Sequence, residues 1–468
     1  MTNSVWARGF LGAVLVSLLT GCVSHVQTVQ KAKNQLAMGG RAETAAFDKD
    51  AREGDKDEVW AYMERGRLKQ LQGDWAGSSR DYEAAVSAFQ KQDEKALISV
   101  SDTASKGAAV LVNDLMLPYQ GEAYERLMVF QLDAFNRAAM GKMDEIGVDV
   151  RNVAAELQKA LDAHEKEAKA LLEDKEGQEK TSKTLESAPY RKMMDDLAAL
   201  GGENANSFQN AYTYGLAGAW YESRGLWSDA FIAYGRGCRL CPGNRAFREG
   251  LLLSAAKLGK RGKAHQGWKA PRPDEGSVVV FLEQGYNVEK RPFAFPIILP
   301  RNFVQVALPY YDCSLDTVVP GCGTVFGEGG ETLAETDLAC DFRILAVRAL
   351  RERMPGIVTR QILRSIAKAV INEQAQKVGS RAGGIGQLAG LAVQIGNAVS
   401  EQPDLRSWRL LPRFAQTARF RLPEGEHDLT VAVGAQQTTV HVTVRAGRPT
   451  LLHVMSVPGV LRATATAL

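Results

Sequence analysis

The chain has 468 residues, enough for roughly two to four domains. Its 57 basic and 54 acidic residues leave a net charge of +3, so the balance gives no footing to a nucleic-acid partner. Past the N-terminus no segment is long and apolar enough to span a bilayer, which takes roughly 20 residues.

Arg8 is the only charge before the apolar run Gly9 to Leu19. A run of about eleven residues suits the h-region of a signal peptide and is too short for a membrane span. Leu19-Thr20-Gly21-Cys22 resembles a bacterial lipobox, in which the cysteine thiol takes a diacylglycerol and becomes the new N-terminus after cleavage. The resemblance implies a leader at 1–21 and a lipidated Cys22, held at the membrane by several acyl chains on one residue. Val23 and Ser24 follow Cys22 with no aspartate, which implies the outer membrane, periplasmic face.

Residues 22–268 lack strand patterns and read as helices. Tyr214, Gly218, Tyr221, Gly225, Ala230, Tyr234 and Pro242 hold the offsets of a tetratricopeptide (TPR) repeat. Gly218 and Ala230 admit the neighbouring helix, and Tyr221 and Tyr234 fill the space between helices. A weaker copy keeps Tyr62, Gly66, Gly73, Tyr82 and Ala85, and a third keeps Ala134 and Gly141. Hairpins of this kind need neighbours to bury their apolar faces. The concave face of such an array, formed by the first helices, would carry Tyr212, Ala219, Glu222 and Ser223 in the best copy. In the first copy it would carry Trp60, Met63, Arg67 and Gln70. Between the copies, Val153, Leu157, Leu161 and Ala168 make a narrow apolar stripe on a charged helix that lays one edge on the array.

Lys269 to Gly276 combines proline, charge and glycine, and predicts an accessible hinge. A mixed α/β domain is expected at 277–405. It opens with strand-like text, holds a glycine-rich loop at Gly321 to Gly330, and continues as a helix broken near Pro355. Gly383 to Glu401 is apolar and rich in small residues, as in close-packed helices. From 406 to 468 apolar and polar residues alternate between glycine turns at Gly425, Gly434 and Gly447. That stretch resembles the small β-sandwich modules, of the PEGA or surface-layer-associated type, found in envelope proteins. The fold class expected is α+β: a TPR-like α-solenoid, a mixed α/β domain and a β-sandwich-like module.

Motifs for a metalloprotease, a nucleophile elbow, a P-loop or a dinucleotide site are absent, so neither a catalytic residue nor a cofactor nor a metal is expected. His441 and His453 fall in expected strands and are weak metal ligands at best. With Cys22 committed to lipid, five cysteines remain, allowing up to two bridges; Cys238 and Cys241 read as a structural disulfide or two buried thiols, and Cys313–Cys322 is the preferred second bridge, with Cys340 then left over. Cys238 and Cys241 would end a helix rather than begin one, which argues against a redox pair.

Two further stretches stand out, "LVNDLMLPYQGEAYERL" (Leu111 to Leu127) and "DLRSWRLLP" (Asp404 to Pro412). Lipobox, degenerate TPR helices, ND…PY.G..YE, mixed domain and RSW..LP together resemble a proteobacterial family of TPR-bearing envelope lipoproteins. The resemblance implies envelope location and this architecture, and no reaction. The function expected is a protein-interaction scaffold that holds envelope proteins or peptides in the TPR groove. The alternatives are a structural subunit of an envelope assembly or exporter, and a hydrolase using Asp312, Asp316, Glu328 or Glu331 of the mixed domain.

Overall fold

The computed structural model describes residues 20–99, 114–173, 183–201, 206–298, 303–312, 318–381 and 403–468. Residues 1–19, Cys313, Asp316 and the apolar stretch Gly383 to Glu401 lie outside the described residues.

Helices come first: α1 (Thr20–Ala37), α2 (Glu58–Leu71), α3 (Trp75–Ser99), α4 (Ala123–Ala139), α5 (Met143–Glu173), α6 (Ala188–Gly201), α7 (Ala211–Ser223), α8 (Trp227–Leu240) and α9 (Arg245–Lys257). Local chemistry sets their ends. Asn210 and Asn244 cap α7 and α9 by accepting from Thr213 N and Phe247 N, and Glu122 with Glu125 forms a capping box on α4. Gly73, between α2 and α3, has φ +80°, which glycine adopts without strain. Close packing follows the small residues: a Cβ on Gly218 would stand 2.6 Å from the Tyr234 ring, so only glycine lets α7 and α8 meet there.

The strands are β1 (Glu275–Gln284), β2 (Arg291–Ile298), β3 (Phe303–Tyr310), β4 (Gly323–Phe326), β5 (Thr332–Glu335) and β6 (Asp337–Asp341), then after α10 (Phe342–Arg381) β7 (Phe414–Pro423), β8 (Gly425–Val433), β9 (Gln436–Val444), β10 (Pro449–Val457) and β11 (Val460–Ala467). They form a five-stranded sheet in the order β11-β10-β1-β7-β6, a four-stranded sheet β5-β4-β8-β9 and the hairpin β2-β3. The protein is therefore α+β.

β1 explains how the layers stack. Its run Val278-Val279-Val280-Phe281-Leu282 is buried throughout, because it pairs parallel with β10 and antiparallel with β7 at the sheet's centre. Side chains alternate between faces. Val278, Val280 and Leu282 pack with Val325, Phe420, Val431, Val442 and Val454, the core shared with the four-stranded sheet. Val279 and Phe281 join Leu451 and Met455 in a second core that runs into the helices.

Two expectations are corrected here. The boundary at 405/406 falls within one sheet, since β1 and β6 are interleaved with β7, β10 and β11. Nor does Lys269 to Gly276 separate two bodies: the helix-side core joins Trp60, Phe135 and Tyr212 to Phe281 and Met455. At the linker itself Lys269 O accepts from Arg421 Nη1 at 2.8 Å.

Candidate functional site

The expected groove is filled by the protein's own sheet. Trp60, Met63, Arg67, Gln70, Tyr212, Ala219, Glu222 and Ser223 are only 0–7% exposed. Trp60 packs against His25 and Phe47, and two charge pairs cross the helix–sheet contact. Arg67 on α2 meets Glu283 on β1 at 2.6 Å. His453 on β10 approaches the other Glu283 oxygen at 3.2 Å and stacks on Phe135, and Tyr212 OH lies 3.3 Å from it. Burial opposes ionisation of Glu283, but Arg67 and His453 outweigh it and hold the carboxyl below its usual range. Glu222 on α7 takes both arms of the Arg419 guanidinium at 2.5 and 2.8 Å and the Tyr234 hydroxyl at 2.8 Å. The residues expected to hold a partner are thus committed inside the fold, and Tyr212 or Glu222 cannot be changed as surface positions.

The two singled-out stretches interlock. Two helical carboxylates receive the backbone of "RSWRLLP": Glu125 accepts from Trp408 N at 2.8 Å, and Glu64 accepts from Arg409 N at 2.7 Å and Leu410 N at 3.0 Å. Burial pushes Glu64 up to about 7, with those two amides pulling the other way. Tyr119 donates its hydroxyl to Glu125 at 2.6 Å. Arg406 bonds Asp57 (2.7 Å), both oxygens of Asp404 (2.9 and 2.8 Å) and Leu117 O (3.0 Å). Glu64 was not foreseen as a clamp. The only sign in the sequence was an acidic residue one turn after Trp60 and Ala61 and one turn before Leu68.

Where these stretches meet α10 they enclose a cleft of about 460 Å³. Asp114, Leu117, Pro118, Gln120 and Glu122 line one side, Leu350, Arg353, Ile357, Arg360 and Gln361 of α10 the other, and Lys290, Asp404 and Arg406 the floor. Glu122 accepts from Arg353 at 2.8 Å and Lys290 at 3.4 Å; burial opposes, but the two cations hold its carboxyl below the ordinary range. Asp404 is likewise held low, its burial outweighed by Arg406. Asp114 accepts from Arg364 at 3.0 Å. The arrangement can bind a polar ligand against an apolar wall. Its acids Glu122, Asp404 and Asp114 are each paired with an arginine.

Other candidates fall elsewhere. A cavity of about 480 Å³ lies between α5 and α7–α8, where Val153, Leu157 and Leu161 of the apolar stripe face Ala217 and Ile232. Asp312, Glu328 and Glu331 are exposed and line neither cavity, and Gly321 to Gly330 contains strand β4 instead of being all loop. His441 is exposed beside Glu426 and Asp428 on β9, whereas His453 is buried against the helices, so the two do not approach. Among the described residues, His25, Asp50 and Asp57 have metal-ligand spacing, their atoms lying within 4.8 Å of one another. Asp57 is already taken by Lys56 at 3.2 Å and Arg406 at 2.7 Å, and ion pairing accounts for the cluster. Of the two readings of Cys238 and Cys241, a disulfide or a pair of thiols, the structure has the thiols: both are free and partly buried, and Cys241 Sγ donates to Ala339 O at 3.2 Å. Burial pushes the Cys241 thiol up to about 11, which keeps it protonated and unreactive. Cys22 stands in the first turn of α1.

Compared with protein-family models, with curated proteins and with solved structures, the chain matches none.

Proposed function

We propose that this is a lipid-anchored protein of the bacterial envelope, tethered through Cys22 at the periplasmic face of the outer membrane, that works by binding. In this reading the helices are a degenerate TPR-like array whose inner face holds the chain's own β-sandwich-like part. Partners are met at the cleft between α4 and α10. The observation that supports it is convergence: Pro118 to Glu122 and Asp404 to Arg406, more than 280 residues apart, build one cleft whose carboxylates are spent on fixing its shape. The anchor reading draws support from α1, where Val29, Ala32 and Leu36 are buried and His25, three positions after Cys22, is clasped by Asp50 and Asp57. A lipidated Cys22 would therefore hold the folded body against the bilayer with no slack linker.

A photo-crosslinking residue placed at the exposed cleft position Gln120, in intact envelopes, tests the site. A discrete adduct from Gln120 and none from an identical probe at exposed His441 is expected. Equal labelling from both positions refutes the cleft. The anchor is checked separately: Cys22→Ala should abolish palmitate incorporation and leave an unprocessed precursor, and labelled palmitate on that variant would refute lipidation.

A further inference from the structure

The cleft presents its charges unevenly. The Glu122 side chain is 8% exposed, whereas those of Arg353 and Arg360 are 52% and 40% exposed. Arg353 gives Nη1 to Glu122 while about half of its side chain stays exposed. Arg360 has Asp114 no nearer than 3.7 Å, beyond hydrogen-bond distance. The two guanidiniums are seven positions apart on α10, so they rise from the same face of the helix two turns apart. Long side chains bridge that spacing, and a planar guanidinium fork suits a carboxylate.

A second observation gives the ligand another feature. Gln361, beside Arg360 and 2% exposed, lines the cleft with its Oε1 lacking any hydrogen-bond partner among the described residues. An amide oxygen is an acceptor only, and burying it unpaired is costly. A ligand N–H would relieve that cost. Leu117, Pro118, Leu350 and Ile357 supply an apolar wall beside these polar groups.

We propose that the cleft binds the C-terminal end of a short peptide, its free carboxylate held by Arg353 and Arg360 and a peptide N–H donated to Gln361. A volume of about 460 Å³ admits roughly two or three small residues. The proposal rests on the cleft being the binding site and adds the chemistry of what enters it. A bare inorganic anion offers neither the N–H nor the apolar body, which is why the peptide is favoured.

The test uses the full-length lipidated protein in detergent and a dansylated tri-alanine peptide, read by fluorescence anisotropy. Saturable binding is expected for the free acid, with the C-terminal amide at least about tenfold weaker, as for loss of a charge-assisted contact. Arg360→Ala should weaken the acid about tenfold and leave the amide unchanged. Its circular dichroism and melting midpoint should stay close to those of the parent, since the Arg360 side chain is partly exposed and its pairing with Asp114 is long, at 3.7 Å. Gln361→Leu should weaken acid and amide alike. Equal affinity for acid and amide, an unaffected Arg360→Ala variant, or displacement of the peptide by equimolar inorganic phosphate overturns the proposal. No peptide binding while Gln120 still crosslinks a partner overturns the ligand class alone; silence in both assays removes the cleft as well.

Discussion

Glu222 shows how far an acidic residue departs from its surface role once its partner is known. Its carboxylate and the Arg419 guanidinium are 2% and 1% exposed and satisfy each other in a two-pronged contact. Removing one member of a buried pair leaves a stranded charge and typically costs about 3–5 kcal/mol, whereas replacing both with apolar groups is often neutral. Glu222→Gln is therefore expected to lower stability by about 3 kcal/mol in urea unfolding. The double variant Glu222→Leu with Arg419→Met should recover most of that, and an undiminished double-variant loss would show that the pair itself stabilises. Asp149 is the opposite case. Burial, with help from the facing Asp133, pushes its carboxyl up to about 8 despite Arg137 at 3.2 Å. Because the folded value is raised, the native state holds this proton where the unfolded chain has lost it. Its contribution is complete below about pH 4 and lost as pH rises toward about 8. Asp149→Asn should thus match the parent near pH 4 and melt about 2 °C higher at pH 8.5; a variant less stable at pH 8.5 would contradict the sign.

At the scale of single elements, α1 has the most to disclose. Its buried edge is short, and its N-terminal end is held by His25 Nε2 at 3.5 Å from Asp50 and 3.4 Å from Asp57, with the ring against Trp60. Lys49, Lys56 and Arg406 face the same two acids. Burial lowers the tendency of His25 to protonate, but the two carboxylates outweigh it and raise its pKa. A raised histidine contributes stability that is full below its unfolded value, near 6.5, and lost as pH climbs through the folded one. His25→Phe keeps the Trp60 contact and removes the charge. The difference in melting midpoint between parent and His25→Phe should be larger at pH 5 than at pH 8.5; the same difference at both would mean that packing alone holds α1. If Cys22 is the anchor, that clasp also sets how firmly the body is held at the bilayer.

At the scale of the whole molecule, helices and sheet share one core. The sheet's helix side carries Val279, Phe281, Leu451 and Met455 together with Glu283 and Arg419, apolar surface and charges that only the helices cover. Residues 269–468 expressed alone should therefore lack a native near-ultraviolet circular-dichroism signal, and co-expression with 22–268 should restore it. Limited proteolysis at Lys269 to Gly276 should nick the chain without releasing two folded halves. Two separable, independently melting fragments would refute this.

Much of this was legible in the residues. The helical character of 22–268, the caps and glycine turns, and the alternation in β8 and β9 are local properties, because periodicity, capping and the freedom of glycine act within a few residues. Gly218 was readable as a close-packing point, and the ND…PY.G..YE and RSW..LP stretches were readable as distinctive. Their meeting in one cleft was not. Neither was the burial of Tyr212, Glu222 and Arg67, which the repeat frame assigned to the concave face. Those outcomes depend on β1 pairing with β10, as Ser277 with Pro449, and on Arg419 reaching Glu222 from 197 residues away. Burying a charge is tolerable only when its counter-charge arrives with it, and no local pattern of the chain specifies that arrival; the tertiary structure alone decides it.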